Sequence, residues 1–365
     1  MQADKYAVTR PWRQVLLTGV DAAGARLVPA RRQIRPCQVR RLLLIRRERF
    51  GDAITMLPAI ARARELFPQA RITWMLDAAY ARFFRCLAVV DEIWTVPHWR
   101  AFLPRWPRFD LALDFHADLR TLVVGRVQAR RLAGFGIRGG DFLLDVFPQF
   151  PWRDDAATRH VRLVESAAGA DPAPVPPPRM PRSIWEPPRY APSPGYVLVH
   201  PGAGQPGKQW PRRNWVALLR RLRQDNLRVL LTGSVAETVL CRSLAPAAAG
   251  SVEDWSGRTG WESLAALVAG AAAVVAADTG IAHLAQALGT PAVVLFGPND
   301  PAVWGYRHAP YRALAQPLAC SHCARARCPR VPAGWVSPCM DAITVESVVA
   351  ALLGALRARS AGQAG

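Results

Sequence analysis

Short apolar runs alternate with amphipathic segments along most of the chain. Arg41-Leu42-Leu43-Leu44-Ile45 has no helical period and predicts a buried strand. Gly51 and Asp52 predict a turn, and Pro58 to Leu66 a helix. Ile72 to Leu76 and Glu92 to Val96 read as strands, and Phe109 to Phe115 alternates into another. The pattern restarts after residue 194. Strands are predicted at Tyr196 to Val199, Arg228 to Leu231, Ala273 to Ala277 and Ala292 to Phe296. Helices are predicted at Asn214 to Arg223, Ala236 to Leu244, Trp261 to Gly270, Ile281 to Leu288 and Thr344 to Leu356. Strands alternating with helices imply βαβ units and parallel sheets.

Between the two series, residues 172 to 194 hold ten of the 32 prolines. Proline fixes φ and removes a donor, so this stretch cannot enter a helix or a sheet interior. It reads as a semi-rigid linker. The predicted layout is therefore a basic extension over 1–40, one Rossmann-like domain over 41–171, the linker over 172–194 and a second Rossmann-like domain over 195–365. The fold class is α/β, with a cleft expected between two sheets. Ligands of such sheets bind at the carboxyl ends of the strands.

Charge and composition narrow the classes. The 365 residues include 47 Lys+Arg against 27 Asp+Glu, a net +20. Such a field draws phosphates and anionic membrane surfaces. Only Lys5 and Lys208 are lysines; the other basic residues are arginines. Leu264 to Ala277 is the longest strongly apolar run, at 14 residues. A membrane span needs about 20. Arg10, Pro11, Arg13, Asp21 and Arg26 interrupt the apolar stretch near the N-terminus, unlike a secretory signal, and a cytoplasmic location is expected. Residues 1–40 read either as an amphipathic helix on an anionic membrane or as a solvated arm. Nucleic acid is not expected as a partner, because aromatics do not interleave with the basic runs.

Several residues could carry chemistry. Asp52, after the first strand, is placed either to take a proton from an attacking hydroxyl or to cap the next helix. His200-Pro201-Gly202-Ala203-Gly204 is a small loop after a strand, and Lys208 follows it. Such a loop brings N–H groups to phosphate oxygens, and the lysine adds a compact charge. Asp278, Thr279 and Gly280 open a helix whose N-terminal amides suit an anion; simple capping is the alternative. His283, in the first helical turn, reads as a sugar or phosphate contact or as a structural histidine. Gly233 with Glu237 follows the strand ending at Leu231; the carboxylate suits a ribose diol or a helix dipole. Cys320, Cys323, Cys328 and Cys339 lie within 20 residues. They suit a structural Zn or Fe site, with free thiols or a disulfide as alternatives.

Taken in order, these motifs resemble the lipopolysaccharide heptosyltransferases, glycosyltransferase family 9. The matching stretches are Arg41 to Pro58, His200 to Pro211 and Asp254-Trp255-Ser256-Gly257-Arg258. They continue through Asp278 to Ala285, Gly289-Thr290-Pro291, Phe296-Gly297-Pro298 with Asp300-Pro301, and residues 339 to 344. The resemblance spans roughly residues 41 to 358. It implies a GT-B fold, with an N-terminal acceptor domain and a C-terminal nucleotide-sugar donor domain. It also implies inverting transfer of a sugar, typically from ADP-heptose, to a hydroxyl of a lipopolysaccharide core or lipid A acceptor at the inner membrane face. By the same resemblance Asp52 is the general base, Lys208 neutralises the diphosphate, Thr279 and Gly280 bind it, Glu237 holds the ribose and Asp278 contacts the sugar. Gly202, Gly233 and His283 complete the donor set. No catalytic cofactor is implied. Arg49, Arg120, His116, Arg138 and the Arg100 to Arg108 stretch are candidates for anionic groups of the acceptor, or else solvated surface. Some relatives glycosylate proteins and carry a cysteine-bound iron, so a protein acceptor is an alternative, as is a nucleotide-sugar 2-epimerase.

Overall fold

The computed structural model describes residues 34–47, 49–95, 103, 108–248, 252–304 and 310–363. The extension over 1–33, Val96 and most of the Arg100 to Arg108 stretch lie outside them. The chain divides into two compact units, Met1–Pro176 and Pro177–Gly365. The division falls inside the proline-rich stretch, but that stretch is not all linker. Met180 donates its N–H to the Ala287 carbonyl at 2.8 Å. Arg182 donates to the carbonyls of Leu288, at 2.9 Å, and of Ala269. These carbonyls sit at the ends of two helices, where acceptors lack intrahelical partners and cations are favoured. Met180 and Trp185 are buried.

The first unit is a five-stranded parallel sheet in the order β3-β2-β1-β4-β5. The strands are β1 (Arg41–Ile45), β2 (Arg71–Met75), β3 (Glu92–Trp94), β4 (Phe109–Asp114) and β5 (Ala129–Gly134). Leu42 to Ile45 are completely buried, as expected of a central strand covered on two faces. In register, Leu42 pairs with Leu111 and Ile45 with Asp114, so β1 and β4 end side by side. The chain leaves β1 toward β2 and enters β4 from β3, which makes the β1/β4 boundary the topological switch point. Helices Phe50–Thr55, Leu57–Leu66, Ala78–Cys86, Leu119–Gln128 and Ala156–Ala168 surround the sheet's sequence. Gly51 and Asp52 therefore lie in the first turn of a short helix, not in a turn between elements.

The second unit is a six-stranded parallel sheet in the order β11-β10-β9-β6-β7-β8. Its strands are β6 (Val197–His200), β7 (Val229–Leu231), β8 (Val252–Asp254), β9 (Ala273–Ala277), β10 (Ala292–Phe296) and β11 (Tyr311–Ala315). The β9 and β10 strands are wholly buried. A core of Val199, Trp215, Leu218, Leu222, Val275, Leu295 and Leu352 packs one face. The switch point here lies between β6 and β9. The segment expected as one helix from Ala236 starts as a 3-10 turn, Val235–Glu237, before Thr238–Leu244. The closing helix runs Val345–Gln363, longer than expected. No helix among the described residues is long and apolar enough to cross a membrane.

Candidate active-site residues

In the first unit the chemistry gathers at the carboxyl ends of β1 and β4. Asp52 is buried, 8% exposed. Its Oδ1 lies 3.0 Å from Nη2 of Arg46, the first residue beyond β1. Nη1 of the same guanidinium donates to the Phe115 carbonyl, just beyond β4, at 2.7 Å. Asp52 does not cap its helix: the N-cap position is Arg49, without a side-chain capping bond. Arg49 itself is exposed.

Next to this pair, Asp118 caps helix Leu119–Gln128 through the N–H groups of Arg120 and Thr121. It also lies 3.4 Å from His116 Nε2 and 3.1 Å from Arg120 Nη2. Burial alone would raise the Asp118 carboxyl, but Arg120, His116 and the Thr121 N–H together hold it below the usual range. Burial pushes Asp114 the other way, up to about 6. The side chain of Arg120 is 82% exposed, so its pair with Asp118 leaves the guanidinium largely in water. Arg138 is bridged by its backbone to Asp118. Of the expected acceptor-side residues, His116, Arg120 and Arg138 thus cluster after β4, whereas Arg108 precedes that strand and donates to the Arg126 and Ala129 carbonyls.

In the second unit four side chains follow the sheet edge in strand order. Asn299 comes after β10, Asp278 after β9, Lys208 after β6 and Glu237 after β7. Lys208 is buried, and its Nζ lies 2.7 Å from Asp278 Oδ2 and 2.9 Å from the Asp278 carbonyl. An ammonium has three protons, so two are committed and one remains for a ligand. Asn299 Nδ2 donates to the same Oδ2 at 2.7 Å. His283 Nε2 lies 4.0 Å from the other oxygen of Asp278, and its ring meets Trp304 edge-on at 6.1 Å. Thr279 is the N-cap of helix Gly280–Ala287, but its hydroxyl donates back to the Ala277 carbonyl instead of capping. The helix amides thus remain the anion donors at this end.

Glu237 closes a capping box with Ser234, whose N–H and hydroxyl reach Oε2 at 2.7 and 2.8 Å. Its carboxylate rests on Gly202, where an added Cβ would overlap it. His200, at the end of β6, pairs through Nδ1 with Thr232 Oγ1 at 3.2 Å, and its Nε2 is 3.8 Å from Glu237. Burial lowers the His200 imidazole, against the pull of Glu237. Gly233 is likewise closed in by Glu237 Cβ and Cys241 Sγ at 3.1 Å.

The four clustered cysteines are not assembled into a metal site. Among the described residues no group of three or more His, Cys, Asp or Glu is close enough to hold an ion. Cys320 accepts from Arg330 Nη1 at 3.4 Å, while burial and the nearby Cys323 and Cys328 raise the Cys339 thiol. The same loop also contacts its neighbours through its backbone. Its Ala326 carbonyl accepts from Gly207 N–H at 2.8 Å, and its Ala324 N–H donates to Pro298. It thus buttresses the loop that carries Lys208. Asn299, Arg46 and His200 are the additions that the structure makes to the sequence-level set. Arg46 sits in a chain with dozens of arginines, and only its position one residue past a buried strand distinguishes it.

The model of the family described as glycosyltransferase family 9 (heptosyltransferase) matches residues 177–333. Lipopolysaccharide heptosyltransferase 1 of Pseudomonas aeruginosa is 27% identical over 329 residues, covering 80% of this chain and 88% of that protein. Among solved structures, the Escherichia coli ADP-heptose lipopolysaccharide heptosyltransferase II aligns with a TM-score of 0.71 at 19% identity, covering 88% of this chain and 99% of that one. An iron-containing dodecameric glycosyltransferase from enterotoxigenic E. coli aligns at 0.60 and 16% identity, covering 89% and 78%. The two units carry the GT-B fold, and the second unit holds the stretch that matches the glycosyltransferase family 9 model.

Proposed function

We propose that the protein is an inverting heptosyltransferase that moves heptose from ADP-heptose to a hydroxyl of a lipopolysaccharide core acceptor. The observation that carries this reading is the row Glu237, Lys208, Asp278 and Asn299 along one sheet edge. Neighbouring strands lie about 4.8 Å apart, so the row from β7 to β10 extends about 14 Å. That length suits an extended nucleoside diphosphate sugar: ribose at Glu237, diphosphate at Lys208 and the Gly280 helix terminus, sugar at Asp278 and Asn299. The names of the family's relatives supply heptose, ADP and lipopolysaccharide.

In the reaction the acceptor hydroxyl attacks the anomeric carbon as the bond to the diphosphate breaks. The Asp52 carboxylate takes the hydroxyl proton. Charge developing on the departing diphosphate is met by the Lys208 ammonium and by the Thr279 and Gly280 amides, groups already fixed before reaction. A single displacement inverts the anomeric centre. Arg120 and Arg138 are available for anionic groups of the acceptor. A lipid-borne acceptor also places the enzyme at an anionic membrane surface, which the net charge of +20 favours.

A thermal-shift panel of ADP, UDP, GDP and CMP on wild type and Lys208→Ala tests the donor. ADP alone should raise the melting temperature, and only in wild type; a hundredfold excess over Kd adds about 2.7 kcal/mol. A UDP or GDP shift would remove ADP-heptose as donor. Product analysis with and without acceptor tests the reaction: release of epimer or free sugar at full rate without acceptor would refute transfer.

A further inference from the structure

Asp52 is held by a closed ring of contacts within the first unit. Its side chain pairs with Arg46, and Arg46 donates to the Phe115 carbonyl. The Phe115 ring meets His160 edge-on, with centroids 5.5 Å apart and planes at 89°. His160, on helix Ala156–Ala168, lies with Nδ1 3.2 Å from the Thr55 carbonyl. A carbonyl can only accept, so Nδ1 carries the proton. Thr55 Oγ1 in turn donates to the carbonyl of Asp52 at 2.8 Å. The ring draws on β1, β4, the short Phe50–Thr55 helix and helix Ala156–Ala168.

Taking Asp52 as the base, as proposed above, we infer that Arg46 and His160 are positioning residues that fix the Asp52 carboxylate from its side-chain and backbone sides. Arg46 is the link that a different cation cannot fully replace. Its fork reaches a carboxylate and a carbonyl from two nitrogens at once, whereas an ammonium is a single point of attachment. Arg46 and Asp52 side chains are 12% and 9% exposed, so little water is present to substitute for the bond. His160 works through Thr55, holding the helix turn on which Asp52 sits. Neither residue needs to touch the donor, since the donor residues named above all belong to the second unit.

The test uses the full chain with Arg46→Met, Arg46→Lys, His160→Asn, His160→Phe and Asp52→Asn. Steady-state transfer gives kcat, and calorimetry with ADP gives donor affinity. A misplacement near 1 Å can cost about 100-fold in rate. Arg46→Met should lose kcat on that scale with ADP affinity within twofold of wild type. Added guanidinium should restore part of it. Arg46→Lys should keep the fold and recover activity only partly, so it reports even if Arg46→Met does not fold. His160→Asn retains a donor toward Thr55 and should exceed His160→Phe in kcat. An Arg46→Met enzyme with wild-type kcat, beside an inactive Asp52→Asn, would overturn the positioning role alone. A fall in ADP affinity matching the fall in rate would also overturn it. Wild-type transfer by Asp52→Asn would instead remove the base assignment on which it stands.

Discussion

Replacing Gly202 by alanine adds one methyl group at a place where a carboxylate already stands. The new Cβ would lie 2.7 Å from Glu237 Oε2 and closer still to Oε1 and Cδ. Non-bonded heavy atoms settle at about 3.5 Å, so even the farthest oxygen must retreat by ~0.8 Å. Oε2 holds Ser234 N–H and hydroxyl at 2.7 and 2.8 Å, and a retreat of that size breaks at least one of these bonds. Hydrogen bonds to a charged group are worth about 1.5 to 3 kcal/mol, and partial exposure of this loop brings the loss to the low end. The same displacement takes Glu237 from its place for a ribose diol, so ADP affinity should fall about tenfold or more. Calorimetry with ADP on Gly202→Ala, Glu237→Ala and the double variant measures this directly. If Gly202 acts through Glu237, the double variant binds no worse than Glu237→Ala alone. Wild-type ADP affinity in Gly202→Ala would refute the reasoning, and so would additive losses.

Lys208→Met should lower both ADP affinity and stability, because it takes the ammonium from the buried Asp278 carboxylate and leaves it the Asn299 amide and, at 4.0 Å, His283. Removing one partner of a buried pair costs about 3 to 5 kcal/mol, readable in denaturant titration; a loss under 1 kcal/mol would contradict the pairing. Glu165→Ala should destabilise the first unit by about 2 to 4 kcal/mol without altering ADP affinity. The Glu165 carboxylate is buried and gathers Arg62, Arg162 and the Ala173 N–H. Stability should also fall as pH drops from about 6.5 toward 3. Burial, with the Arg46 charge nearby, pushes His160 down to about 3, so the unfolded chain takes up that proton first. Asp114, raised to about 6, works in the opposite sense as pH falls from there toward the usual carboxylate range, since the folded state is then the better proton acceptor. His160→Asn removes the first effect alone, so its stability should decline less steeply with acid than that of wild type; parallel curves would refute the assignment.

Much of the architecture was legible because it is written in local pattern. Buried parallel strands appear as unbroken apolar runs, and Ala273–Ala277 and Ala292–Phe296 lie where the periodicity puts them. Helix Ala156–Ala168 is not among the elements expected from the pattern although its signals are present. Asp155 accepts from Thr158 N–H at one end, and Gly169 takes the left-handed conformation at φ 66° at the other. His160 and Glu165 are buried on its apolar face beside Val161, Leu163 and Val164. Strands Ala129–Gly134 and Val252–Asp254 do not stand out as apolar runs, because Arg130 and Arg131, and Glu253, interrupt them. Strand β5 gains its place from pairing with β4, not from its own apolarity.

The candidate site divides in the same way. The place of its candidate residues was legible in sequence, since the segment that follows each apolar run leaves from the carboxyl edge of a parallel sheet, and Asp52, Lys208, Glu237 and Asp278 lie in the segments after β1, β6, β7 and β9. Which of these residues meet was not in the sequence. Lys208 and Asp278 are 70 positions apart, and their 2.7 Å contact exists because β6 and β9 are sheet neighbours. Arg46 and the Phe115 carbonyl are 69 apart and meet because β1 borders β4. Local pattern reports how each segment buries its own side chains, whereas strand order is chosen by the packing of the whole sheet. The elements, their ends and the residue types at those ends were therefore determined by the sequence read segment by segment, and the partners that fix the charges and orientations were decided only by tertiary structure.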